Sequence, residues 1–243
     1  MAKILKVDYV KDFKKELSNI DKLEQTPNLI KNVAIQALDS AINSSGIQTT
    51  TKTILERNKE SLENIGDRSI RNNFSIIYSQ MCILAVSSLE ATLKKYFENA
   101  LSDFSNINQS NDELKKIKIS LSELVENNLK FSGKFGKLII NKANLNFQDL
   151  KSIKRIFSEY ISKDIILDTE IEKKTCFFLE ARHALVHKGG IADDKFIQAV
   201  TSFNANIKDY KKGDRIEINA SDWGDIKNIF TELVAQVTRY RKN

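Results

Sequence analysis

Apolar residues recur at steps of three and four through almost every segment of this chain, a spacing that suits helices and little else. Val7, Val10, Phe13, Leu17, Ile20 and Leu23 mark an amphipathic helix over about residues 8–24, with lysines and acids between them. Thr26-Pro27 predicts a break, after which Leu29, Ile30, Val33, Leu38 and Ile42 predict a second helix ending before Asn43-Ser44-Ser45-Gly46. The polar run Ser44 to Lys52 reads as a linker, with a further short helix reaching Ile65-Gly66. The most apolar helix is expected over about 68–104, capped by Asp67, with Phe74, Ile77, Met81, Leu84, Leu89, Leu93 and Phe97 facing a core. Further helices are expected over about 112–127, 147–161, 169–188, 193–207 and 223–240, with Asp168 or Thr169 capping the third of these and Ser221 the last. Only the alternation Arg215-Ile216-Glu217-Ile218 suggests a strand or extended edge. One proline and eight glycines in 243 residues fit a helical chain and leave too few turn formers for a β-sandwich. The fold class expected is therefore all-α: a helix bundle with at most one short β element near 214–218. Residues 1–66 form an N-terminal helical region and residues 67–243 the main helical domain.

Charge and cysteines bound the setting. A net charge of +6 and a pI near 9.1 suit a polyanion partner through phosphate neutralisation, although lysine-rich chains are commonly basic for no such reason. Cys82 and Cys176 both sit in apolar runs, as reduced core thiols in a reducing compartment do. The N-terminus has no apolar stretch of signal-peptide length. The segment Ile76 to Leu93 is interrupted by Ser79-Gln80 and by Ser87, Ser88 and Glu90, which reads as too polar to span a membrane. A cytoplasmic protein with no membrane partner is expected.

Both histidines of the chain fall in one stretch, Glu180-Ala181-Arg182-His183-Ala184-Leu185-Val186-His187-Lys188-Gly189-Gly190. The apolar run Thr175 to Leu179 leads into it, and the two glycines end the helix. Arg182 and His187 are thereby placed on the last two turns of a half-buried helix. A guanidinium there can hold a phosphate with a planar fork of donors, and an imidazole can take or give a proton near neutral pH.

Other groups are candidates to support this pair. Glu90 lies on the apolar stripe of the central helix, with Val86, Leu93 and Phe97 at i−4, i+3 and i+7, and a carboxylate there needs a partner. Arg182 or a motif histidine could be that partner; alternatively Glu90 snorkels at the helix edge. Lys188 adjoins the motif, and Lys151, Lys154 and Arg155 share one helix face as a modest basic patch. Leu129 to Lys137 mixes Lys134 and Lys137 with aromatic residues around two glycines, a composition able to touch phosphates and stack bases, or simply a flexible loop. That segment lacks the Gly-x4-Gly-Lys-Ser/Thr pattern of a phosphate-cradling loop, so a nucleoside triphosphatase is rejected.

The run Arg182-His183-Ala184-Leu185-Val186-His187 resembles the Arg-x4-6-His signature of the HEPN superfamily, and Gly189 to Phe196 resembles its RiboL-PSP-type branch. The likeness extends over roughly residues 70–240 as a pattern of helices. The resemblance implies a HEPN-type helix bundle that dimerises and cuts RNA without a metal or other cofactor. It implies Arg182 and His187 as catalytic residues in a composite site between two copies; His183 in the motif, and Glu90 and Glu180 from their places on helix stripes, are the candidates to support them. The slot after the arginine is usually asparagine in that pattern, and histidine stands there in this chain. Relatives of this type act in antiphage defence and toxin–antitoxin pairs, which implies RNA, a second copy and an inhibitory or activating protein as partners.

Three other readings of the same residues stay open. Glu180, His183 and His187 fall at i, i+3 and i+7 on one stripe, and two histidines at i, i+4 can bind a divalent metal, although convergence of all three on one ion is strained. The bundle could also bind a nucleotide, RNA or protein without turnover, or use His187 only to complement the dipole at a helix C-terminus.

Overall fold

The computed structural model describes residues 7–66, 75–101, 112–126 and 134–239. Ten helices account for most of them: α1 (Tyr9–Ile42), α2 (Thr49–Glu63), α3 (Ser75–Ala100), α4 (Asp112–Lys116), α5 (Leu121–Glu126), α6 (Phe135–Lys142), α7 (Leu150–Ile161), α8 (Thr169–His187), α9 (Asp194–Ser202) and α10 (Ala220–Thr238). The all-α expectation holds. Among the described residues the extended segment near 214–218 makes one isolated antiparallel bridge, Ile191 to Arg215, and no sheet.

The core is one continuous cluster built around α3. Met81, Cys82, Ala85, Val86, Leu89, Leu93 and Phe97 of that helix are all at most 1% exposed, against α1, α8 and α10. By length and composition alone α3 is apolar enough to cross a membrane, so the serines, Gln80 and Glu90 that interrupt it do not make it too polar to do so. Most of its apolar residues pack on the other helices of the bundle, while Ile76 and Leu84 are 64 and 44% exposed, so Leu84 does not face the core as expected. Phe97 packs edge-on against Phe147, Phe157 and Tyr160, tying α3 to α7. The expected cap Asp67, core residue Phe74 and residues 102–104 lie outside the described residues.

α1 corrects the expectation of a break at Pro27. It runs unbroken for 34 residues with Pro27 buried inside it, although a helix-interior proline removes a hydrogen bond and crowds the preceding turn. Tertiary contacts offset that cost. Phe13, Leu17 and Ile20 are buried in the common core, the Trp223 indole and Lys227 ammonium both donate to Asp21 Oδ1 (2.6 and 2.9 Å), and Tyr78 donates to Glu24 (2.9 Å). These two donors hold the Asp21 carboxyl below its ordinary range even though burial works the other way. The linker expected over Ser44 to Lys52 is shorter, because α2 already begins at Thr49.

Three other boundaries moved for readable reasons. Residues 112–127 divide into α4 and α5 because Ser120 and Glu123 form a reciprocal cap, the Ser120 amide donating to Glu123 Oε2 (2.8 Å) and the Glu123 amide to Ser120 Oγ (3.2 Å). The last helix is capped by Asn219, not Ser221: Asn219 Oδ1 accepts from the Ser221 and Asp222 amides, while Asp222 accepts from the Asn219 amide. The second half of the expected glycine-containing loop is helical, as α6, and 127–133 lie outside the described residues. A Cβ at Gly136 would come within 2.5 Å of Glu98 Cα, so glycine here lets α6 lie directly on α3.

Candidate functional site

α8 presents the motif. It starts at Asp168, whose side chain accepts from the Glu170 amide (2.9 Å), and its inner face is fixed by Thr175 to Leu179, Ala181 and Ala184, all buried. Cys82 Sγ approaches Phe178 O and Cys176 Sγ approaches Ala199 O, each at 4.0 Å, placing the two free thiols at the α3–α8 and α8–α9 contacts. Burial pushes both thiols up to about 12 and keeps them unreactive.

The helix ends at the glycines, as its sequence demands. Lys188 and Gly190 both donate backbone N–H groups to Ala184 O (2.9 and 3.1 Å), with Gly189 and Gly190 in left-handed conformation at φ 63 and 79. The chain then pairs with the 213–216 segment: the Ala192 amide donates to Asp214 O (2.9 Å) and the Ile216 amide to Gly190 O (2.7 Å). Asp193 caps α9 by accepting from the Phe196 amide (2.9 Å) and lies 3.6 Å from Lys188 Nζ. Both ends of the turn after the motif are thus tied down.

Arg182, His183 and His187 emerge at this tip. His183 and His187 are exposed, with ring centroids 4.7 Å apart. Arg182 is half-buried; its Nε is shut off from water and has no hydrogen-bond partner, and among the described residues no carboxylate pairs with its guanidinium. Partial burial, then the charges of His187 and Arg182, hold the His183 imidazole below its ordinary range, with Lys195 adding to this and Asp193 opposing it. His183 is accordingly weighted toward its neutral form at pH 7.

Glu180 and Glu90 are placed differently from what the sequence suggested. Glu90 is met by Lys94 one turn along α3 (2.7 Å) rather than by Arg182 or a motif histidine, because a lysine at i+4 reaches it at no topological cost. Glu180 is half-buried with no cation bound to it among the described residues. Burial, and the neighbouring carboxylates of Asp149 and Asp193, push its carboxyl up to about 7. These two aspartates are the N-caps of α7 and α9, Asp149 accepting from the Ser152 amide (2.7 Å). Among the described residues no three His, Cys, Asp or Glu side chains come together in a way that could hold a metal ion, so the Glu180–His183–His187 set is not assembled.

The basic candidates are scattered. Lys154 pairs with Glu172 and Arg155 with Glu159 (3.2 Å), so two members of the expected α7 patch are already neutralised. Lys137 and Lys151 are exposed, and Lys134 lies at the start of α6. The acidic neighbours of Glu180 were missed by sequence reading. Asp193 was visible only as a helix cap, and the approach of α7 to α8 that brings Asp149 near is long-range. No family model, curated protein or solved structure matches the chain.

Proposed function

We propose that this chain is a metal-independent endoribonuclease of HEPN type, with Arg182 and His187 as its catalytic residues. A single observation carries the reading: a half-buried guanidinium that no carboxylate pairs with among the described residues, on the same helix end as two exposed imidazoles whose ring centroids are 4.7 Å apart. An arginine that no carboxylate neutralises among the described residues offers its charge to a phosphodiester; the buried Nε is closed to such a ligand, so contact would fall to the terminal guanidinium nitrogens.

The chemistry asked of the site is transfer of a phosphoryl bond within RNA. The 2′-oxygen loses its proton and attacks phosphorus, the 5′-oxygen leaves and takes a proton, and the products carry 2′,3′-cyclic phosphate and 5′-hydroxyl ends. Arg182 offsets the charge that builds on the phosphoryl oxygens. His187 serves one proton transfer, and His183, weighted toward its neutral form, is suited to accept a proton near pH 7. In the composite arrangement that the motif implies, a second copy places its own Arg182 and His187 across the same cleft. A cytoplasmic defence or toxin setting, with a protein that restrains or triggers cleavage, follows from the motif's resemblance alone.

The test is direct. Purified protein incubated with RNA in the presence of EDTA is expected to generate new 2′,3′-cyclic phosphate and 5′-hydroxyl ends. RNA that is bound and remains whole would replace the nuclease reading with that of a binding module.

A further inference from the structure

The turn beyond the motif carries a short ladder beside the α8 tip. Two hydrogen bonds, from the Ala192 amide to Asp214 O and from the Ile216 amide to Gly190 O, flank the pair Ile191 and Arg215. In that antiparallel pattern the two residues are the non-hydrogen-bonded pair, with Cα atoms about 4.5 Å apart and side chains on one side of the ladder. Gly190, Ala192 and Ile216 are buried on the other side, so Ile191 and Arg215 share the outer one, and both are exposed. The ladder stays close to the motif, because the Gly190 amide donates to Ala184 O (3.1 Å) and a Cβ at Gly190 would come within 3.3 Å of Leu185 Cδ2. Charge along this edge is unevenly matched. Asp193 has Lys188 and the Phe196 amide, Asp194 has Lys212, and Asp214 accepts from the Lys211 amide. Arg215 and Lys195, both exposed, have no carboxylate partner among the described residues. After burial and the charges of His187 and Arg182, Lys195 also holds His183 low, against Asp193, so its ammonium lies within electrostatic reach of that ring.

We infer that Ile191 and Arg215 form a nucleotide subsite adjoining the α8 tip, and that with Lys195 they make the site one for single-stranded RNA. Arg215 takes a phosphate neighbouring the one at Arg182, and Ile191 covers the face of that nucleotide's base. The inference rests on the RNA reading above for the class of ligand, and adds where the strand runs and in what form it is taken. The pairing of the two side chains carries it. A guanidinium holds a phosphate with its planar fork, and an aliphatic side chain at its flank buries the apolar face of a ring, so together they match the two unlike halves of one nucleotide. A duplex cannot use the pair, since its bases stack on one another and show only their edges. A lone nucleotide leaves the cations on α8, on α9 and on the ladder without phosphates to share, whereas a strand supplies one after another. Glu217 bounds the subsite. It lies two residues beyond Arg215 on the same side of the extended segment, exposed and with no cation among the described residues, and so repels a further phosphate there.

The experiment measures binding apart from cutting, with the full chain and a 2′-O-methyl oligoribonucleotide of about a dozen residues, which has no free 2′-hydroxyl to attack with. The Lys195→Gln/Arg215→Gln double variant is expected to bind it about tenfold more weakly at low salt and to lose about 1.4 from the slope of log affinity against log salt, about 0.7 for each phosphate contact. The Lys52→Gln/Arg57→Gln variant removes the same charge from exposed positions on α2 and is expected to bind as the parent does. Ile191→Ser should weaken binding and leave the slope as it was, because it removes apolar contact and no charge. The same strand annealed to its complement should compete poorly. All these variants are expected to keep the parent's circular dichroism and melting temperature, since the substituted side chains are exposed. A double variant that binds like the parent, an equal loss in the α2 variant, an Ile191→Ser protein of undiminished affinity, a duplex that competes as well as the single strand, or a parent that binds no RNA would each overturn the inference. The two readings fail separately. Binding that follows this pattern with no cleavage of ordinary RNA would remove the nuclease and keep the subsite, whereas cleavage that needs His187 but proceeds with undiminished affinity in the double variant would keep the nuclease and remove the subsite.

Discussion

The tip of α8 and the outer half of α1 are both exposed, yet they are built in opposite ways. The α8 tip stands on a fully packed base: Phe177, Phe178, Leu179, Ala181 and Ala184 are all at most 2% exposed, and the glycine turn beyond is pinned by backbone hydrogen bonds. What it shows to solvent is polar and electrostatically unsettled, with Arg182 unpartnered at Nε and Glu180 and His183 both displaced from their ordinary pKa ranges. Outer α1 has no buried residue beyond Pro27, and none of its exposed positions from Gln25 onward carries a charge. The lesson is that exposure by itself says little. A rigid foundation under an unmet charge points to chemistry or ligand binding, whereas a loosely held face without charge offers a charged ligand nothing to pair with.

The widest gap between the two regions should appear in stability. Phe178→Ala, which empties a wholly buried site where α8 meets α3, is expected to cost about 3–5 kcal/mol. Ile30→Ala on the outer face of α1 should stay within about 0.5 kcal/mol in the folded monomer. Denaturant titration of the two variants measures both, and equal losses would erase the distinction. The next largest effect is catalytic. Arg182→Met should lower RNA cleavage by ~10²-fold or more while leaving the melting temperature unchanged or raised, because it removes a buried donor that the fold never satisfied. A clear fall in melting temperature would make Arg182 a structural residue.

Smaller effects concern titration. Glu180 binds its proton more tightly folded than unfolded, so its contribution to stability is present below the ordinary glutamate value of 4.5 and is lost as pH rises through about 7. Glu180→Gln should therefore flatten the decline in stability between those two values, with the gain seen on the alkaline side. A variant whose pH profile parallels the parent would show that Glu180 is solvated. His183 should titrate below an ordinary imidazole by NMR, and His187→Ala should move it part of the way back, since partial burial and Arg182 still act on it. No movement would mean the two rings do not communicate.

The fold class was legible because helical periodicity dominates the chain, and the motif helix was legible to within a residue because Asp168 and the Gly189-Gly190 pair mark its ends. Pro27 misled because a local rule was overridden by contacts far along the chain, from Trp223 and Lys227. At the site, the i, i+4 spacing of His183 and His187 foretold the closeness of their rings. The partner of Glu90 could not be foretold, because Lys94 one turn away and Arg182 on another helix are both cations and differ only in topology, and the acidic surroundings of Glu180 come from other helices. The scarcity of charge in α1 was written in the sequence from Gln25 to Gly46, but it took the structure to show that Lys31 and Asp39, the two charges of that stretch, turn toward α2 and its end: Lys31 Nζ donates to Ile65 O (2.6 Å) and Asp39 pairs with Lys59 (2.7 Å).

The central claim rests on His187. RNA cleavage by His187→Ala should be compared with that of the parent under conditions where both show the same melting temperature. The account predicts a loss of ~10²-fold or more in rate with RNA still bound; cleavage at the parent's rate by the folded variant would contradict it.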